Sequence, residues 1–257
     1  VPEVDKTREV KILTAFFGLD NGLTKRANLI YKKAYGKDGM PLVFSHELSP
    51  STIDGADFEV TTQNGNVFQV EAASLLPANE AFELRTVLLI GEYGSYPDNQ
   101  PISVKVIGDL MTRTGQNYKG QTIRVIPLQE GPVLSYAEYF VMDQEYPYVE
   151  KGRGCDCPKD KTKLVVKAVW SGGVRAVNGN ELGEKELKDF KVTLTKGNER
   201  FEVKPFQLAD LKDNDNNIDL CLSVDGIPIL LEVNEGIAID PRNDKNPKTK
   251  VSIVSRW

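Results

Sequence analysis

The chain has 257 residues, 27% charged and 40% hydrophobic, with a formal net charge of -5 and a pI near 5.2. That composition belongs to a folded globular protein, and the length allows one large core or two ordinary ones. The negative balance excludes the broad positive field that nucleic acid or anionic lipid requires, and no run approaches the roughly 18 apolar residues of a membrane-spanning helix.

Beginning at Val1 in place of Met, the sequence reads as a processed or trimmed form, which fits an exported protein. The first predicted strand is 11–17. A basic segment, GLTKRANLIYKKAYG at 22–36, follows, within an insert spanning about 20–40. Its Leu23, Ala27, Ile30 and Ala34 recur at helical spacing, while Lys25, Arg26, Lys32 and Lys33 supply local positive charge. The segment reads either as a contact patch for an anionic partner or as a solvated lid over a sheet edge, and the lid is favoured. The single histidine, His46, lies beside Ser45 in a predicted edge or turn. Neighbours on a strand point to opposite faces, so this pair makes no nucleophile–base dyad.

An internal repeat then appears. DFEVTTQNGNVFQV at 57–70 returns as DFKVTLTKGNERFEV at 189–203. Both copies alternate apolar and polar residues and reverse at a Gly-Asn pair. Gly65-Asn66 and Gly197-Asn198 suit a two-residue type II′ hairpin, with a type I′ turn at Asn64-Gly65 the alternative in the first copy. Strands predicted at 85–90, 101–106 and 122–126 match 217–224, 228–233 and 250–254, and 11–17 is matched to 163–170. Short strands separated by Gly, Pro, Asn and Asp clusters, without crossover helices, argue for antiparallel all-β domains. The expected organisation is a first domain at 1–127, a linker at 128–162 and a second domain at 163–257.

The linker is rich in aromatics: Tyr136, Tyr139, Phe140, Tyr146 and Tyr148 crowd one short stretch. They read as mortar between domains, or as walls of a groove for a small apolar ligand or a sugar face. Asp213, Asp215 and Asp219, in the run DNDNNID, offer the hard oxygen ligands that calcium takes. Asp and Asn also favour such turns for local reasons, and the loop lacks the Gly and Glu of an EF-hand. The cysteines are Cys155, Cys157 and Cys221. With Ile218, Leu220, Leu222 and Val224 inward, Cys221 points out of its core and can bond Cys155 or Cys157, since residues two apart rarely bridge each other. The third thiol is then free or joins two chains into a homo-oligomer; three reduced thiols are the other reading.

FSHELSPSTIDGADFEVT at 44–61, followed by VKVIGDL at 104–110, resembles the bacterial-type Ig-like domains of surface-layer and adhesive proteins. The likeness covers about half of the first copy and less of the second. It implies two tandem Ig-like antiparallel β-sandwich domains of Greek-key type, and it transfers no catalytic residue. The insert near 20–40 and the lack of an inter-sheet cystine depart from that pattern. The resulting expectation is a secreted or cell-surface protein that binds or contacts other molecules without catalysis. The alternatives are a carrier of a small apolar or aromatic ligand at the domain interface and a carbohydrate-active enzyme using paired carboxylates. Partners would be protein or a small apolar or carbohydrate ligand, with calcium the candidate cofactor.

Overall fold

The computed structural model describes residues 8–142, 154–211, 213 and 215–256. The chain divides into two units, Thr7–Glu130 and Gly131–Trp257. In the first, the strands are β1 (Ile12–Phe16), β2 (Asp38–Phe44), β3 (Phe58–Thr62), β4 (Val67–Gln69), β5 (Ala72–Ser74), β6 (Thr86–Gly91), β7 (Pro101–Val106) and β8 (Thr122–Ile126). They form one eight-stranded sheet in the order β4-β3-β7-β8-β1-β2-β6-β5. Every pairing is antiparallel except β1 with β8, which is parallel, so the all-antiparallel expectation needs that correction. Met40, Leu42 and Phe44 of β2 share one core with Phe58 and Val60 of β3, Val87 and Leu89 of β6, and Val104 and Val106 of β7. Strands far apart in the sheet reach a common core only if the sheet curls around it. Alternation sets the inner face: Phe58, Val60 and Thr62 are buried while Glu59 and Thr61 between them are half-buried.

The second unit contains β9 (Leu134–Val141), β10 (Leu164–Trp170), β11 (Arg175–Ala176), β12 (Phe190–Lys196), β13 (Glu199–Val203), β14 (Gln207–Ala209), β15 (Asn217–Leu222), β16 (Ile227–Val233), β17 (Ala238–Ile239) and β18 (Thr249–Ser255). Its eight-stranded sheet runs β13-β12-β16-β18-β9-β10-β15-β14, and its one parallel pair is β9 with β18. Strand for strand this is the order of the first unit. The small β11–β17 ribbon has a reduced counterpart there, a bridge from Leu48 to Thr112.

This correspondence shifts one expected match. The partner of β1 is β9, and the partner of β10 is β2. Residues 134–141, expected within the linker, are a strand hydrogen-bonded on both sides, to β10 and β18. The segment at 20–40 is likewise no insert. Residues 17–37 connect β1 to β2, as 142–163 connect β9 to β10. Two local signals misled. In β2, DGMPLVF carries a proline, which ordinarily argues against a central strand, and β9 interrupts its apolar residues with Ser135 and Glu138.

The two hairpins differ as well. In the second copy Lys196 pairs with Glu199 and Gly197 has φ +59°, as a type II′ turn requires. In the first copy the Gly65 N–H bonds Thr62 O and the Thr62 N–H bonds Asn66 O. Gly65, at φ +77°, therefore follows a turn centred on Gln63 and Asn64 as a left-handed bulge residue, and neither primed turn forms.

Candidate functional site

Backbone bonds fix the register between the two copies. The Phe44 N–H donates to Arg85 O at 2.8 Å, and the Trp170 N–H donates to Asn216 O at 2.8 Å. Each acceptor residue also bonds back through its side chain, Arg85 to Phe44 O and Asn216 to Trp170 O. Arg85 and Asn216 thus stand at one position, which makes Leu88 equivalent to Asp219 and Ile90 to Cys221. Pro41, opposite Leu88, is then equivalent to Lys167, opposite Asp219.

These residues lie on the outer face of their sheet, away from the main core. In the first unit Leu23, Ala27 and Ala34 of the 17–37 connection pack on Ile90, with Ile30, Ala72 and Leu88 partly buried beside them. The expected helical spacing is used for that contact, although only a short 3-10 helix, Lys25–Leu29, forms. In the second unit the equivalent connection supplies Cys157, which forms a disulfide with Cys221 across 5.6 Å between Cα atoms. A covalent bond occupies the place of an apolar contact. Cys155 is a buried free thiol; burial, then the nearby charge of Asp219, pushes its titration up, which keeps it protonated and unreactive.

Next to the disulfide, the outer face is charged and buried. Glu138, Lys167 and Asp219 lie side by side on β9, β10 and β15. The Lys167 ammonium, 1% exposed, lies 2.6 Å from Asp210 Oδ2 and 3.2 Å from Asp219 Oδ1. Glu138 accepts from Arg256 Nη1 and, at 3.0 Å, from the Tyr136 hydroxyl. Lys167, Glu138 and Arg256 escaped the sequence reading. A signal was present: Lys167 is flanked on its own face by Val165 and Val169, and a solvent-facing lysine has no need of such neighbours.

Of the five aromatics expected to wall a groove, three lie among the described residues, all on β9. Tyr136 and Phe140 point to the outer face of β9 at 7% and 1% exposure, whereas Tyr139 packs against the core from the opposite face. Tyr146 and Tyr148 lie outside the described residues. The acidic trio also divides. Asp219 is paired with Lys167, and the three carboxylates do not converge within reach of one ion. Asp213 and Asp215 stay together, with the Asp215 N–H donating to Asp213 Oδ1 at 3.3 Å. Burial first, then the charge of Asp210 for Asp213 and of Asp213 for Asp215, holds both above the ordinary carboxylate range. Asn217 joins them through its backbone N–H to Asp215 Oδ1 at 2.7 Å and its side-chain Nδ2 to Asp215 Oδ2 at 3.1 Å. Beside this loop is a cleft of about 190 Å³ with Arg175, Glu181, Asp215 and Pro241 among its walls.

Ser45 and His46 meet after all, because both lie just past the end of β2, where strand alternation no longer separates them. Ser45 Oγ is 2.8 Å from His46 Nδ1. The same oxygen accepts the Lys11 N–H at 2.9 Å, and the Tyr118 hydroxyl accepts the His46 N–H at 3.1 Å. The cluster ties the end of β2 to the chain entering β1, and His46 is 3% exposed.

No protein-family model matches the chain, and no curated protein sequence matches it. Among solved structures, the N-terminal part of the bacterial S-layer protein SbsC is 10% identical with a TM-score of 0.32, over 96% of this chain and 44% of that one. A longer form of SbsC is 10% identical with a TM-score of 0.33, over 96% of this chain and 26% of that one. Its domains 1–6 are 7% identical with a TM-score of 0.32, over 97% and 55%. The chain therefore spans about half the length of these proteins or less. Among the described residues no helix is long and apolar enough to cross a membrane.

Proposed function

We propose that the chain is a pair of Ig-like sandwich modules that act outside the cell by binding or surface contact, without catalysis. The strand order supports the module type. In each unit four strands in the order β1-β2-β6-β5, or their equivalents, adjoin four in the order β4-β3-β7-β8, the division of strands found in immunoglobulin-type sandwiches. The observation that carries the extracellular reading is the Cys157–Cys221 bond. Disulfides persist in oxidising compartments and are rare in the cytosol. This one closes a loop of 64 residues, for which chain entropy gives a stabilisation of about 4 kcal/mol. The non-catalytic reading draws on the cluster that holds Ser45 and His46, in which Ser45 Oγ accepts the Lys11 N–H, the Tyr118 hydroxyl accepts the His46 N–H and His46 is 3% exposed.

Thermal unfolding tests the reading, with the chain made by export to an oxidising compartment compared with the same chain held in thiol reductant. The exported form is expected to melt roughly 10 °C higher. Equal midpoints, with three alkylatable thiols in both, would contradict an extracellular role.

A further inference from the structure

We propose that Asp213, Asp215 and Asn217 bind one hard divalent cation, calcium by their chemistry. This revises the ligand set expected from the sequence, removing Asp219 and adding Asn217, and it does not rest on the extracellular reading. Asp213, Asp215 and Asn217 are at most 7% exposed, so their polar atoms have given up water. Asp213 Oδ2 and Asn217 Oδ1 nevertheless accept no hydrogen bond among the described residues. Buried polar oxygens are nearly always satisfied, and an orphaned one costs about 1–3 kcal/mol. The Asn217 amide is aimed at the carboxylates, since its Nδ2 already lies 3.1 Å from Asp215 Oδ2. In the structure Oδ1 faces away from Asp215; turning the amide over exchanges the Nδ2 bond to Asp215 for an Oδ1 ligand at the same place, with the ion then satisfying Asp215 Oδ2.

Charge points the same way. Among the described residues the Lys167 ammonium is engaged by Asp210 and Asp219, and neither Asp213 nor Asp215 makes an ion pair. That leaves Asp213 and Asp215 repelling each other in a buried loop, the arrangement a divalent ion neutralises. Oxygen donors at alternate positions, two carboxylates and one amide carbonyl, match the way calcium is held in loops, and calcium tolerates their irregular geometry better than magnesium does. Asp215 also forms a wall of the adjoining cleft, through which water can complete the coordination shell. The Asx turns of the loop explain the Asp215 oxygens, which are satisfied by Asn217, but leave the two orphans unexplained.

Terbium is a suitable probe because Trp170 is bonded to Asn216 within the same loop and can sensitise its luminescence. Terbium added to the full chain is expected to luminesce on tryptophan excitation, to lose most of that signal in Trp170→Phe, and to be displaced by calcium at concentrations where magnesium has no effect. Calcium is also expected to raise the thermal midpoint of the wild type by several degrees, and not that of Asp213→Asn or Asp215→Asn. Both variants should melt no lower than the calcium-free wild type, since each removes a repelling charge, which shows that they fold. No calcium shift in the wild type, or a shift kept in both variants, would overturn the site.

Discussion

Cys221 occupies in the second unit the position that Ile90 occupies in the first, and each is covered by the connection that follows the first strand of its own unit. The framework therefore repeats more fully than the sequence does. In one copy Leu23, Ala27 and Ala34 cover the outer face by burying apolar surface. In the other, a disulfide holds the covering segment down, and the neighbouring positions carry a buried ion pair in place of Pro41 and Leu88. Charge placed there needs a rigid cover, because exposure to water would remove the reason for pairing, and loss of one partner would leave a buried charge uncompensated.

Lys167 is the residue on which that arrangement depends. Lys167→Met leaves Asp210 and Asp219 without the ammonium they share and is expected to cost roughly 3–5 kcal/mol in urea unfolding. Combining it with Asp219→Leu, the residue type of the first unit, should recover part of the loss, with a coupling energy of about 1–3 kcal/mol. Strictly additive losses would show that the two groups act separately.

Asp38 gives the first unit a distinct pH dependence. Its carboxylate accepts the N–H of Tyr93 at 2.6 Å and of Asn21 at 2.7 Å, yet burial raises its pKa from 3.8 to about 6. Between those values the folded chain binds a proton that the unfolded chain does not. The stability this group contributes is therefore greatest below about pH 4 and declines as pH rises through 6. Asp38→Asn should remove the slope, so the stability difference between wild type and variant narrows on going from about pH 4 to pH 7. A difference that widens with pH would contradict the buried, proton-binding state.

The repeat at 57–70 and 189–203 announced the duplication because β3 and β4, like β12 and β13, have one face in the core and one toward solvent, which leaves a clean period of two. The same reasoning placed Cys221 outside the inner core, where it bonds Cys157. It failed for β2 and β9, which run through the middle of their sheets. Strands covered on both faces lose their alternation, and Pro41 in one and Glu138 in the other imitate loop residues. The acidic loop was visible as a composition. Its division between Lys167 and Asn217 was not, because that depends on which residue lies across the neighbouring strand.

The placement of β9 is tested by truncation. Under reductant, to remove the disulfide from the comparison, residues 131–257 should unfold cooperatively. Residues 163–257, which lack the strand between β10 and β18, should show no cooperative transition. Equal cooperativity in the two fragments would return 134–141 to the role of a linker.

The most direct measurement is non-reducing peptide mapping after alkylation of the unfolded, unreduced protein. One crosslinked pair is predicted, Cys157 with Cys221, with Cys155 carrying the only alkyl label. Labels on all three cysteines, or a bond that includes Cys155, would contradict the claim that the connection after β9 is fixed at the position of Ile90.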